Sequence, residues 1–188
     1  MPVLDIDASS CRLEIIDRDW SHPDGEYLRN LQRQELAEIY GQPDGGEPGT
    51  PPSADDISEF VVAYICLSNT SAYDACSCSV PIPVACGALR ALSKDLDPIT
   101  GKPYPGDAEI KRMYVHHDYR GKPLYAAKAV LRRLEKKAVE RGWKRLVLET
   151  GYKQEAAIRF YERESYIEIP TFGSYAGSQL SRCYRKMI

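Results

Sequence analysis

The stretch from Glu109 to Tyr161 constrains the fold more than any other part of the chain. It reads as a strand over 109–115, a loop carrying Arg120-Gly121-Lys122, a helix over 124–141, a strand over 145–150 and a short helix over 154–163. Strands followed by helix-connected strands point to a mixed sheet. A strand that passes through a basic, glycine-containing turn into a helix also presents backbone N–H groups to a phosphate. The helix is amphipathic: Leu124, Ala127, Leu131, Leu134 and Ala138 form one apolar stripe. Lys128, Arg132, Arg133, Lys136 and Lys137 lie opposite and read as a solvated face. Pro123 suits the first helical position and Gly142 the C-terminal stop.

The flanking sequence supplies the rest of a sheet. A weak alternation over 11–16 predicts a first strand, and the spacing of Tyr27, Leu28, Leu31, Leu36 and Ile39 predicts a helix over 24–40 with Asp24 or Ser21 as cap. Gly41 ends that helix, and the Pro- and Gly-rich segment 41–56 is an acidic loop. The apolar, β-branched run over 60–67 and the segment 84–92 predict two further strands, with Gly87 marking a bulge. A long hairpin connection over 69–83 and a loop over 93–107 follow from their polar and proline content, and 166–169 with 180–187 form a last strand pair. In the strand over 109–115, alternation places Glu109, Lys111, Met113 and Val115 on one face and Ile110, Arg112 and Tyr114 on the other. The expectation is an α/β protein of the α+β mixed-sheet kind, a single domain over 1–188 with helices on both faces of the sheet.

Composition excludes several functions. A formal net charge of −2 leaves no electrostatic footprint for nucleic acid, and no apolar run is long enough to span a bilayer. The first residues lack a basic start and a long apolar stretch, so a cytoplasmic, reducing location is the expectation. Six cysteines with Cys76, Cys78 and Cys86 clustered invite a zinc reading, but no second chelating pair accompanies them. Free thiols and no metal are expected.

Two motifs carry a resemblance. Arg120-Gly121-Lys122-Pro123-Leu124-Tyr125, followed by Gln154-Glu155-Ala156-Ala157-Ile158-Arg159-Phe160-Tyr161, resembles the acetyl-CoA-binding core of the GNAT acyltransferase superfamily. That core spans about residues 108–163. The resemblance implies the GNAT fold, in which the strands over 109–115 and 145–150 splay apart to admit the cosubstrate. It assigns the pyrophosphate to Arg120, Gly121, Lys122, Pro123, Leu124 and Tyr125, with N–H groups offered by Gly121, Lys122, Leu124 and Tyr125. The strand backbone at Met113, Tyr114 and Val115 would pair with the pantetheine arm, helped by Gln154 and Ala157. Tyr161 is then the acid that protonates the departing thiolate, against the alternative of a core tyrosine. Glu109 is either the general base for the amine or a structural carboxylate paired with Lys111 or Arg112.

The activity this implies is acetyl transfer from acetyl-CoA to an amine, either a small molecule or a peptide, by direct attack in a ternary complex of a monomer or homodimer. The alternative is a catalytically silent acyl-CoA-binding or protein-interaction module, suggested by Pro123 and Tyr125. His116 and His117 suit a loop or phosphate-side role. Fold analogy places Asp44, Glu47, Asp55 and Asp56 at one side of the acceptor and Ser174, Tyr175 and Ser178 at the other.

Overall fold

The computed structural model describes residues 11–42, 51–67 and 80–188. Asp44 and Glu47 of the acidic loop, and Cys76 and Cys78, lie outside the described residues.

Seven strands build one mixed sheet: β1 (Cys11–Asp17), β2 (Glu59–Leu67), β3 (Ile82–Ala91), β4 (Ala108–Val115), β5 (Arg145–Gly151), β6 (Ile167–Ile169) and β7 (Ser181–Met187). Their spatial order is β1-β2-β3-β4-β5-β7-β6. Among the described residues only the β4–β5 pair is parallel. Its crossover is α2 (Ala126–Glu140), while α1 (Pro23–Tyr40) joins β1 to β2 and α3 (Glu155–Arg163) follows β5. The expected element order is therefore the observed one, and the last strand wedges itself between β5 and β6.

Helices cover both faces, as expected. On one face α2 and α3 bury Val130, Leu131, Leu134, Ala138 and Tyr161 against Val61, Ala63, Ile110 and Leu148. On the other, Leu28 of α1 packs on Phe60, Val62, Tyr64, Cys86 and Tyr114. A third cluster of Val147, Phe172, Tyr175 and Cys183 fills that same side beneath the loops. The α2 stripe is shifted by one position at its start. Ala126 and Val130 are buried where Ala127 was expected, because the helix begins at Ala126 and Ala127 turns toward a cleft.

Two local expectations are corrected. His22 caps α1, its ring accepting from the Asp24 N–H, so neither Ser21 nor Asp24 is the cap. Pro123 is not the first helical residue: Tyr125 is the N-cap in a left-handed conformation (φ 47°, ψ 37°), and its N–H is taken by the Gly121 carbonyl at 2.8 Å. The basic face of α2 is solvated as expected at Lys128, Arg132 and Lys136, and it also carries ion pairs. Lys137 reaches Asp17 at 2.6 Å and Glu59 at 2.9 Å, Arg133 pairs with Asp17, and Arg132 with Glu135 and Glu164.

A further correction bears on the site. Cys86 pairs with Tyr114 and Ala88 with Lys111, so the single residue Gly87 faces both Arg112 and Met113. This β-bulge holds Arg112 at φ 53° and reverses the side-chain alternation beyond it. Met113 thus joins Ile110 on the α2 face, and Tyr114 lies on the α1 face with Cys86. The glycine is required there: a Cβ at position 87 would come within 2.7 Å of Met113 Sδ and 2.9 Å of both Leu134 Cδ1 and Val130 Cγ1.

Candidate active site

The sheet opens where β4 and β5 part. They pair at Ala108–Leu146, Glu109–Val147 and Ile110–Leu148, and their pairing stops there. Beyond Ile110 the β5-facing edge of β4 has no strand partner among the described residues, so it forms one wall of a cleft. The cleft holds about 860 Å³, within the usual range of a small-molecule or cofactor site of about 300–1,000 Å³.

At one end stands the start of α2. Tyr125 makes no side-chain cap, and the first bond to its carbonyl comes from Ala129 N, so the N–H groups of Ala126, Ala127 and Lys128 have no intrahelical partner. Three such donors with the positive end of the helix dipole suit an anionic group. Lys128 adds a cation at the rim, 3.6 Å from Glu164. Arg120 is oriented differently from expectation: its Nη2 donates to Glu35 of α1 at 2.6 Å and its Nε to the Val115 carbonyl at 2.9 Å. Its charge is thereby shared with α1 at the cleft wall.

The other end narrows into a crevice of about 100 Å³ between α1, β4, β5 and α3. Both spaces share Gln32, Leu36, Met113, Gln154, Ala157 and Tyr161. Gln32 donates from Nε2 to the Met113 carbonyl at 3.1 Å, which fixes the edge strand against α1. Gly151 is needed for the same closure, since a Cβ there would meet the Tyr40 hydroxyl at 1.9 Å. Tyr161 is buried, and burial, reinforced by Glu149, pushes its phenol well above the usual range. It therefore stays protonated over the whole physiological range. Glu149 itself lines the narrow crevice.

Glu109 lies elsewhere. It is fully buried, paired with Arg90 at 2.5 Å and with Lys111 at 3.7 Å, and it accepts from the Tyr175 hydroxyl at 2.9 Å. Lys111 in turn donates to that hydroxyl at 2.6 Å. The structural reading expected Lys111 or Arg112 as partner of Glu109; Lys111 is present, with Arg90 of β3 as a further cation. These four residues border a separate crevice of about 300 Å³ under the loops, which meets the narrow one at Lys111.

Of the other residues expected at the cosubstrate, Met113, Tyr114, Val115, Arg120, Gly121, Tyr125, Gln154 and Ala157 line the large cleft. Lys122, Pro123 and Leu124 do not, because the turn carries Leu124 down onto the core. Burial raises the Tyr114 phenol to about 12, and its ring packs in the α1 core. Tyr125 is half exposed. Sequence reasoning missed Gln32, Glu35, Leu36 and Glu149. Leu36 was read as part of a core stripe, and nothing local marks α1 as a cleft wall.

His116 and His117 stack on a short turn after β4 and line none of these spaces; burial lowers the His116 imidazole below its ordinary value. With Asp118 they bring three possible metal-ligand atoms within 4.8 Å of one another. Asp55 and Asp56 are exposed and border none of these three spaces, and Tyr175 is a buried network residue. Among the described residues no helix is long and apolar enough to cross a membrane.

Comparison with known proteins gives a consistent answer. The sequence profile of the acetyltransferase (GNAT) family matches residues 14–165. No curated protein matches the chain. Among solved structures, an acetyltransferase from Streptococcus agalactiae superposes with a TM-score of 0.62 at 18% identity, over 94% of this chain and 98% of that one. A GNAT family acetyltransferase from Elizabethkingia anophelis with acetyl-CoA bound gives 0.55 at 13% identity, over 94% and 98%. The PaiA N-acetyltransferase of Thermoplasma acidophilum in complex with coenzyme A gives 0.56 at 17% identity, over 94% and 99%. At these identities the structural likeness is one of fold.

Proposed function

Since the chain belongs to the acetyltransferase (GNAT) family, we propose that it transfers an acetyl group from acetyl-CoA to an amine acceptor in a ternary complex. The observation that carries this reading is the opening between β4 and β5. It places three unpartnered helix N–H groups at one end of a cleft of about 860 Å³ and a buried tyrosine beside a carboxylate at the other. Two of the structural relatives hold acetyl-CoA or coenzyme A, which supports the same ligand here.

In this reading the N–H groups of Ala126, Ala127 and Lys128, with the Lys128 ammonium, hold the pyrophosphate. The open edge of β4 at Met113–Val115 pairs with the amide-bearing arm as an added strand would. Acetyl-CoA supplies a thioester, so the products are an amide and a free thiol. Tyr161 supplies the proton for the leaving sulfur. Its phenol stays protonated because burial and Glu149 both disfavour the phenolate, and hydrogen bonding lets it act on a thiolate whose conjugate acid lies near ~8.5.

For the base we favour Glu149 over Glu109. Glu149 borders the crevice that receives the amine, whereas two cations and a phenol hold the Glu109 carboxylate in place. Of the two features that suggested a silent module, Pro123 lies outside the cleft, whereas Tyr125 lines it with a half-exposed side chain. The test is thiol release from acetyl-CoA across a panel of amines, alongside calorimetric binding of acetyl-CoA. Binding with amine-dependent thiol release supports the proposal; binding without release from any amine leaves the silent module.

A further inference from the structure

Side chains already occupy the open edge of β4. His116 N donates to the Val84 carbonyl of β3 at 2.8 Å. Backbone groups along a strand alternate between its two edges, so Met113 and Val115, out of step with His116, turn theirs away from β3. The Met113 carbonyl accepts from Gln32 Nε2 at 3.1 Å, and the Val115 carbonyl accepts from Arg120 Nε at 2.9 Å. The same guanidinium donates from Nη2 to Glu35 at 2.6 Å, and its carbon lies 5.6 Å from the centre of the Tyr114 ring. Gln32 and Glu35 are neighbours on one face of α1, so one turn of that helix clasps the edge strand. Gln32, Glu35 and Arg120 all line the large cleft.

This clasp bears on an incoming anion. Arg120 and Lys128 flank the unpartnered N–H groups of α2 in sequence, and both line the cleft. Gly121, next to Arg120, accepts the Tyr125 N–H at 2.8 Å, which ties the arginine's loop to the start of the helix. Lys128 meets Glu164 only loosely, at 3.6 Å, whereas Arg120 holds Glu35 at 2.6 Å. A carboxylate and a phosphoryl oxygen are equivalent acceptors for a guanidinium, since each takes charge-assisted N–H bonds. Glu35 thus occupies a donor that a diphosphate can use. The side chains of Arg120 and Glu35 are 45% and 35% exposed, so exchanging one acceptor for the other requires no repacking of the core.

We infer that Glu35 sets the affinity for acetyl-CoA by holding Arg120 in the free protein. When the cosubstrate enters, the guanidinium leaves the carboxylate for a phosphoryl oxygen of the diphosphate. The inference rests on the acyltransferase reading and adds to it an affinity-determining residue on α1.

The test titrates coenzyme A calorimetrically into the wild type, Glu35→Gln, Arg120→Gln and the double variant. Glutamine keeps a polar side chain at either half-exposed position, so the fold is retained. Glu35→Gln releases Arg120 and is expected to tighten coenzyme A by about two- to fivefold, the scale of an exposed ion pair. Arg120→Gln is expected to weaken binding, and in its background Glu35→Gln should no longer tighten it. A gain of equal size with and without Arg120 would be plain removal of a negative charge and would overturn the inference. So would coenzyme A that binds Glu35→Gln no tighter than the wild type. The acyltransferase reading survives either of those results, because the wild type still binds coenzyme A. Failure of coenzyme A to bind the wild type would remove both.

Discussion

Gln32 of α1 donates its amide N–H to the Met113 carbonyl of β4 at 3.1 Å, joining the first helix to the edge strand at the point where the sheet opens. The contact spans 81 residues of sequence, and it settles which wall closes the cleft. Around it the structure places a helix N-terminus at one end and Tyr161 with Glu149 at the other.

Lys128 is expected to matter for the cosubstrate, because it sits on the first turn of α2 at the rim of the cleft. Acetyl-CoA at about 100 times its Kd should stabilise the fold by about 2.7 kcal/mol. For a chain of this size that is roughly 5–10 °C in melting temperature. Lys128→Glu should remove most of the shift, whereas Lys136→Glu, two turns along and paired with Glu140, should leave it. Equal shifts in the two variants would take the pyrophosphate away from the start of α2.

Leu134 is fully buried between α2 and the sheet, and truncation to alanine should cost about 2–5 kcal/mol in denaturant unfolding. Gly87→Ala should cost about 1–3 kcal/mol by overpacking against Met113, Leu134 and Val130. Because the crowded atoms hold the bulge, that variant should also lose turnover. Wild-type activity in Gly87→Ala would separate the bulge from the chemistry.

Tyr161→Phe should lower kcat well over tenfold while the affinity for acetyl-CoA changes little. Burial and Glu149 both raise the phenol, so its acid form persists and kcat should show no alkaline loss from this group below about pH 10. Unaltered turnover in the phenylalanine variant would exclude Tyr161 as the proton donor.

The two carboxylates should separate by phenotype. Glu109→Gln unbalances a buried network with Arg90 and Lys111, so its signature is a stability loss of about 3–5 kcal/mol. Glu149→Gln should slow turnover at neutral pH, with partial recovery at high pH where the amine deprotonates itself. The reverse pattern would return the base to Glu109.

Burial pushes the Cys86 and Cys183 thiols up to about 12. Both should resist alkylation in the native state at pH 8, when mapped by mass spectrometry. Their pKa values are raised on folding, so the unfolded chain loses these protons first, from about 8.5. Their contribution to stability is complete below that pH and is lost as the pH rises toward 12. A urea midpoint that holds level from pH 8 to 11 would contradict this.

Local pattern carried the sequence reading a long way. Helical period, strand content and the Gly41 and Gly142 stops are properties of short windows, and they suffice for the order of elements and for Leu131, Leu134 and Ala138 as core. The two motifs likewise placed Gly121, Gln154, Ala157 and Tyr161 at the cleft, since each is a short segment joining a strand to a helix.

What only the tertiary structure decided is where side chains point once strands pair. Alternation along 109–115 put Met113 beside Glu109, but the extra residue opposite Gly87 reverses the phase, and that bulge belongs to the β3–β4 register rather than to either strand. The same holds for charge. Arg120 and Glu35 are 85 positions apart, as Glu109 is 19 from Arg90, and no local period encodes such pairs. Element order therefore follows from the sequence, because it is summed over neighbours a few residues away. The surroundings of the two carboxylates follow from the fold, because strand pairing brings Glu109 to Arg90 and Lys111 and leaves Glu149 lining the crevice with Tyr161.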